Sequence, residues 1–125
     1  MSFSMDKTTG NITITRGDSG SKRIRLRLLA TGETYEMQEG DEIHFGVKAN
    51  YGDARCLIAK AYTTNPFVLS ILPEDTADLD FGRYVYDMEF VAANGYTRTF
   101  MEKKKFRITE EVYTPEPQEE VDSNG

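Results

Sequence analysis

The stretch that decides the fold is Leu79-Asp80-Phe81-Gly82-Arg83-Tyr84, which opens a strand running to Val91. The apolar and aromatic side chains of that strand recur at every second position, as expected of a strand with one buried face. They are Tyr84, Tyr86, Met88 and Phe90. A leucine, then a glycine, then a tyrosine two residues later is the pattern of a tyrosine corner, where a connection crosses between two packed sheets. Leu79, Gly82 and Tyr84 are therefore predicted to form the structural corner of a β-sandwich.

Short alternating segments recur along the rest of the chain, separated by turns rich in glycine, asparagine, aspartate and proline. Asn94-Gly95 predicts a tight hairpin that leads into the last strand. A single helical turn is predicted near Pro73–Leu79, because proline suits the first position of a helix. The fold class predicted from these patterns is all-β, an antiparallel sandwich of about seven to eight strands.

The predicted core consists of the apolar positions that alternate inward. It contains Ile12, Ile14, Ile24, Leu26, Leu28, Ile43, Phe45, Val47, Leu57, Leu69, Ile71, Leu79, Tyr84, Tyr86, Met88, Phe90, Phe106 and Ile108. The last strand breaks the pattern, because Glu102 and Lys104 share a face with Phe100 and Phe106. Either a β-bulge between Met101 and Lys104 shifts the register, or this part projects beyond the sheet.

Charge is distributed unevenly along the 125 residues. Residues 110–125 contain six acids and no base, so this segment accounts for the whole net charge of −6. A neutral body lacks the long-range field that steers proteins to nucleic acid or to anionic membranes, so neither partner is expected. The predicted organisation is a flexible or exchanged arm at 1–10, a β-sandwich domain at 11–112 and a disordered acidic tail at 113–125.

The cysteine content and the N-terminus bear on the compartment. Cys56 is the only cysteine, so no intrachain disulfide can form. It is expected to be a partly buried small hydrophobe. The N-terminus lacks the basic and apolar regions of a secretory signal, and no apolar run reaches the length of a membrane span. We expect folding in the cytoplasm without secretion by a signal peptide.

Three segments carry a family resemblance that covers about residues 10–109. They are Ile12-Thr13-Ile14-Thr15-Arg16-Gly17-Asp18, the run from Leu69-Ser70-Ile71-Leu72-Pro73-Glu74-Asp75-Thr76 to Gly82-Arg83-Tyr84-Val85-Tyr86-Asp87, and Lys105-Phe106-Arg107-Ile108. In order and spacing the chain resembles the N-terminal domain of phage baseplate upper proteins and related prophage tail-accessory domains. The resemblance implies an Ig-like sandwich and a non-enzymatic virion component of the tail or baseplate. The partners it implies are other copies of the chain or other tail proteins, with a homo-oligomer expected.

Arg23, Arg25 and Arg27 place three guanidinium groups on one outward strand face and form the candidate assembly surface. One interpretation is a docking stripe for an acidic partner, such as the tail of another copy. The other is that the arginine stems cover neighbouring residues such as Val68 and Leu72 and that their charges pair with local acids.

Other motifs favour ordinary structural interpretations. Arg16-Gly17-Asp18 spells an integrin-recognition tripeptide but is predicted to be a turn. His44, the only histidine, is expected on the surface. The spacing of Asp75, Asp78 and Asp80 does not match a calcium loop. No catalytic residue, metal site or cofactor is predicted.

Two competing functions remain open. A carbohydrate-binding or adhesive sandwich requires exposed aromatic residues gathered on one face, and the candidates are Tyr35, Tyr51, Tyr62 and Tyr96. An enzyme requires a cleft that gathers His44 with Cys56 or a carboxylate.

Overall fold

The computed structural model describes residues 3–110, and the structural statements below concern that range. It contains eight strands and one short helix. In chain order they are β1 (Phe3–Met5), β2 (Ile12–Thr15), β3 (Gly20–Ile24), β4 (Glu42–Lys48), β5 (Ile58–Tyr62), β6 (Phe67–Ile71), α1 (Pro73–Thr76), β7 (Gly82–Val91) and β8 (Thr97–Thr109). The tail predicted at 113–125 lies outside the described residues.

The strands form a large and a small sheet, which confirms the predicted all-β sandwich. The large sheet has the order β1-β2-β8-β7-β4-β5, and the small sheet pairs β3 with β6. Neighbouring strands are antiparallel except β2 and β8, which run parallel, so the prediction of a wholly antiparallel arrangement is wrong at that pair. Helix α1 confirms the predicted helical turn and lies on the connection from β6 in the small sheet to β7 in the large one.

The core is built from the alternating positions of the strands. In β7, for example, Tyr84, Tyr86 and Met88 are buried while the residues between them are not. Most of the predicted core is buried, namely Ile12, Ile14, Ile43, Phe45, Val47, Leu69, Ile71, Tyr84, Tyr86, Met88, Phe106 and Ile108. The partly buried members that pack against it are Ile24, Leu26, Leu79 and Phe90.

Two predicted core leucines are exposed instead. Leu57 is 41% exposed because β5 begins one residue later, so that Ile58 takes the inward position. Leu28 is 43% exposed because β3 ends at Ile24 and the chain then folds into a turn. That turn is closed by the Leu28 N–H donating to the Glu33 carbonyl at 2.7 Å and the Gly32 N–H donating to the Leu28 carbonyl at 2.8 Å.

The predicted hairpin and bulge both lie in the β7–β8 pair. At the hairpin, the Gly95 N–H donates to the Ala92 carbonyl at 2.9 Å, and Gly95 has a φ of 94°. The pairing of β7 with β8 then shifts register on either side of Met88, which confirms the predicted bulge. Lys103 lies in this bulge and has a positive φ of 55°. Its N–H donates to the Asp87 carboxylate at 2.7 Å.

The N-terminal arm packs on its own chain. Strand β1 pairs antiparallel with β2. The ring of Phe3 packs on Gly20, only 2.4 Å from the position that a Cβ on this glycine would take. The hydroxyl of Tyr86 donates to the carbonyl of Gly10, which anchors the turn between β1 and β2. Exchange of this arm with a second copy stays a prediction.

Candidate functional site

The structural corner lies at the start of β7. The hydroxyl of Tyr84 donates to the carbonyl of Asp80 at 2.7 Å, which is the backward bond that a tyrosine corner requires. Gly82 has a φ of 139°, a conformation that disfavours any residue with a Cβ. Leu79 packs, partly buried, against the core. Burial and the nearby charge of Asp80 raise the pKa of Tyr84 above its usual value.

The Arg16-Gly17-Asp18 tripeptide packs against this corner. The Arg16 guanidinium donates to the Leu79 carbonyl at 3.3 Å and lies 4.2 Å from the centre of the Phe81 ring. The Gly17 N–H donates to the hydroxyl of the fully buried Thr76 at 2.8 Å. The tripeptide is thus a structural turn that joins the β2–β3 connection to the β6–β7 connection.

The three arginines of the candidate assembly surface are exposed, as the alternation predicts. Only Arg23 belongs to β3, where it pairs across the small sheet with Val68, so its stem lies beside an exposed valine. Arg25 and Arg27 follow the end of the strand, and Arg27 forms an isolated bridge with Thr34. Within residues 3–110 none of the three forms an ion pair, and both interpretations of the arginine row stay predictions.

Arg27 lines a groove that the sequence did not predict, and we call it the apolar groove. It encloses about 460 Å³ and is lined by Leu26, Arg27, Leu28, Leu29, Tyr35, Phe90, Tyr96, Arg98, Thr99 and Phe100. Three of the apolar side chains are largely exposed: Leu29 at 87%, Tyr96 at 59% and Leu28 at 43%. Arg98 is also exposed and, like Arg27, forms no ion pair within the described range.

The groove exists because the strands of the large sheet continue at this end of the molecule, whereas β3 of the small sheet stops. Strand β7 continues to Val91 and pairs Phe90 with Arg98, whereas β3 ends at Ile24. Beyond that point the side chain of Asn65 replaces a strand partner: it accepts from the Leu26 N–H at 2.8 Å and donates to the Leu26 carbonyl at 3.0 Å. The inner face of β7 and β8 is therefore covered at this end by the turn that carries Leu28 and Leu29 and by Tyr35, whose ring contacts Phe90.

A network of hydrogen bonds centred on Asp41 holds Tyr35, one of the residues that line the groove. The Asp41 carboxylate is buried and accepts from the Tyr35 hydroxyl at 2.7 Å, the Gln38 N–H at 2.9 Å and the Ala93 N–H at 3.1 Å. These bonds, led by that of Gln38, lower the pKa of Asp41 below its usual value. The Tyr35 ring meets the edge of Phe90 at 5.3 Å between centroids, so the wall of the groove is preorganised.

A second concavity, of about 520 Å³, lies on the outer face of the large sheet. Its lining includes His44, Cys56, Asp87 and Glu89, which is the combination an enzyme would need. His44 is on the surface and is held by carboxylates, with Nε2 2.7 Å from Glu42 and Nδ1 3.6 Å from Glu89. Neither ring nitrogen is therefore directed at a thiol. Cys56 is exposed rather than partly buried, and its sulfur lies over Gly46, 2.8 Å from the position that a Cβ on this glycine would take.

The four tyrosines proposed for carbohydrate binding lie at different places. Tyr35 and Tyr96 line the apolar groove, whereas Tyr51 lines the outer concavity beside Lys103. Tyr62 packs on Phe67 and accepts from the Ser70 N–H at 3.2 Å. They do not form one aromatic platform.

The acids near α1 serve the local structure. The carboxylate of Asp75 accepts from the Leu72 N–H at 2.7 Å and pairs with Lys60 of β5 at 2.7 Å. Over residues 3–110 no three metal-ligating side chains come together. In the same range no helix has the length and apolar character needed to cross a membrane.

Comparison of the chain with models of protein families, with curated proteins and with solved structures found no match. The resemblance to phage tail proteins therefore stays a prediction.

Proposed function

We propose that this chain is a non-enzymatic structural protein of a phage or prophage virion, a component of the tail or baseplate. It folds in the cytoplasm of the bacterial host and acts through protein–protein contacts with copies of itself or with other tail proteins. The carrying observation is the apolar groove, in which Leu28, Leu29 and Tyr96 are exposed together beside two arginines. Singly scattered apolar side chains are normal on a protein surface, but a contiguous patch marks an interaction site.

The residue types of the groove also suit a protein interface. Tyrosine and arginine are among the side chains that contribute most to binding when an interface covers them. Because the Asp41 network holds Tyr35 in place, little side-chain entropy is lost there on association. The segments that resemble phage tail proteins supply the biological setting of the proposal.

Sedimentation velocity over a wide range of protein concentration tests the assembly role. The wild-type chain is expected to self-associate, and Leu29→Ser is expected to weaken association by roughly tenfold, because it removes the most exposed leucine of the groove. Leu57→Ser is the matched control, since Leu57 is also exposed but lies outside the groove. Equal effects of the two substitutions would reject the groove as the assembly surface.

Mass spectrometry of purified phage particles from the host tests the virion assignment separately. The chain should be present in stoichiometric amount with known tail proteins. Its absence from intact particles would contradict the proposal.

A further inference from the structure

We propose that the apolar groove of one copy binds residues 112–122 of a second copy, so that assembly is head to tail. This inference rests on the proposed function and names the partner of its surface. It is supported by the chemistry of the groove, by the charge of the segment and by the distance between the groove and the end of β8.

The groove suits a proline-containing segment. Tyr35, Phe90, Tyr96 and Phe100 give it an aromatic lining. Proline restricts the backbone to the extended polyproline range, and such segments bind in aromatic grooves at low entropic cost. Residues 112–122 read Val112-Tyr113-Thr114-Pro115-Glu116-Pro117-Gln118-Glu119-Glu120-Val121-Asp122, with two prolines one residue apart.

The charges are complementary. Arg27 and Arg98 line the groove and form no ion pair within residues 3–110. Residues 112–122 carry four acids and no base. Arginine can bind a carboxylate through two parallel hydrogen bonds, which adds orientation as well as attraction. An acidic segment of this composition would neutralise both arginines while its prolines cover the aromatic rings.

The distance along β8 favours a second copy over the same chain. Because β8 contains a bulge, its length is read from the regular partner β7: Arg98 and Ile108 pair with Phe90 and Gly82, and the eight intervals between those two β7 residues span roughly 27 Å. Pro117 follows Thr109 by eight residues, which reach at most about 29 Å when fully extended. Pro117 of a chain therefore reaches its own groove only if the segment reverses direction at once and is fully extended, whereas that of a neighbouring copy meets no such limit.

This contact joins two different surfaces. A segment that leaves the far end of β8 and enters the groove of the next copy makes a heterologous interface, which closes into a ring or continues as a filament. Until the assembly closes, the copy at one end presents a free groove and the copy at the other end presents a free segment.

Mixing two variants of the full chain tests the inference. The groove variant carries Arg27→Ser and Arg98→Ser. The segment variant carries Pro115→Ala, Glu116→Gln, Pro117→Ala, Glu119→Gln and Glu120→Gln. Each variant alone is expected to self-associate at least about tenfold more weakly than wild type, because each lacks one half of the contact. Arg107→Ser, which changes an exposed arginine at the other end of β8, should behave as wild type.

When the two variants are mixed, they should form a one-to-one complex of near wild-type affinity, because one supplies an intact segment and the other an intact groove. Far-ultraviolet circular dichroism checks that each variant is folded. Failure of the mixture to associate would overturn the head-to-tail contact. If the segment variant self-associates as strongly as wild type, this inference is overturned while the proposed function stands. If the wild-type chain stays monomeric and is absent from phage particles, both are rejected.

Discussion

The two ends of β7 differ in how their side chains are used. At its start, Tyr84 is buried and bonds back to Asp80, and Arg16 and Thr76 fasten the neighbouring connections around it. At its end, Phe90 borders a groove in which leucines and a tyrosine are exposed. One strand thus joins the two sheets at one end and lines the apolar groove at the other. Substitutions at the first end should change stability, and those at the second should change association.

The largest effect is expected at the corner. Tyr84→Ala removes a buried aromatic side chain together with its hydrogen bond, and should lower the free energy of unfolding by about 3–5 kcal/mol. Tyr84→Phe keeps the ring and loses only the hydroxyl, so a loss of about 1 kcal/mol is expected. Urea unfolding measures both. A loss below about 1 kcal/mol for Tyr84→Ala would show that the corner does not hold the sheets together.

The stability of the fold is expected to depend on pH through Asp41, whose carboxylate bonds to Tyr35 of the groove. Asp41 has a lowered pKa in the folded protein, so its carboxylate stabilises the fold above the unfolded pKa of about 4. That contribution is lost as the pH falls through the lower folded pKa. Urea midpoints measured from pH 5 downward should fall less steeply in Asp41→Asn than in wild type. Asp78→Asn, a change at an exposed acid, serves as the control, and equal slopes for Asp41→Asn and wild type would contradict the role of Asp41.

Alternation along the strands was sufficient to predict most of the core, and the spacing of Leu79, Gly82 and Tyr84 was sufficient to predict the corner. Alternation failed where local geometry decides which side chain turns inward. Leu57 and Ile58 are adjacent apolar residues, so the sequence alone does not settle which of them β5 buries. Leu28 follows a regular alternation, but its hydrogen bonds with Glu33 and Gly32 end that alternation in a turn.

The apolar groove could not be predicted because it combines three separate parts of the chain. Leu29 comes from the turn after β3, Tyr35 from the following loop, and Tyr96 from the β7–β8 hairpin. Their meeting depends on β3 being shorter than β7, which the side-chain pattern does not encode. The available signal was apolar residues at turns, at Leu28-Leu29 and after Asn94-Gly95. Of the predicted arginine row, Arg27 lines the groove, but Arg98, which lines it as well, was missed.

The smallest effect on stability is expected in the groove. Leu29→Ser should change the free energy of unfolding by no more than about 0.5 kcal/mol, because the side chain is already 87% exposed and leaves no cavity. Urea unfolding at a concentration where the protein is monomeric measures this. A loss comparable to that of Tyr84→Ala would mean that the groove is part of the core, and the contrast between the two ends of β7 would disappear.

Amide NMR spectra of the full chain over a series of concentrations are the most direct test of the proposal that copies associate through the groove end of β7. As the concentration rises, we expect the signals of the groove residues to shift, namely Arg27, Leu29, Tyr96 and Arg98, while those of Asp80 and Tyr84 stay in place. Shifts centred on the corner, or spectra that do not change with concentration, would contradict the proposal.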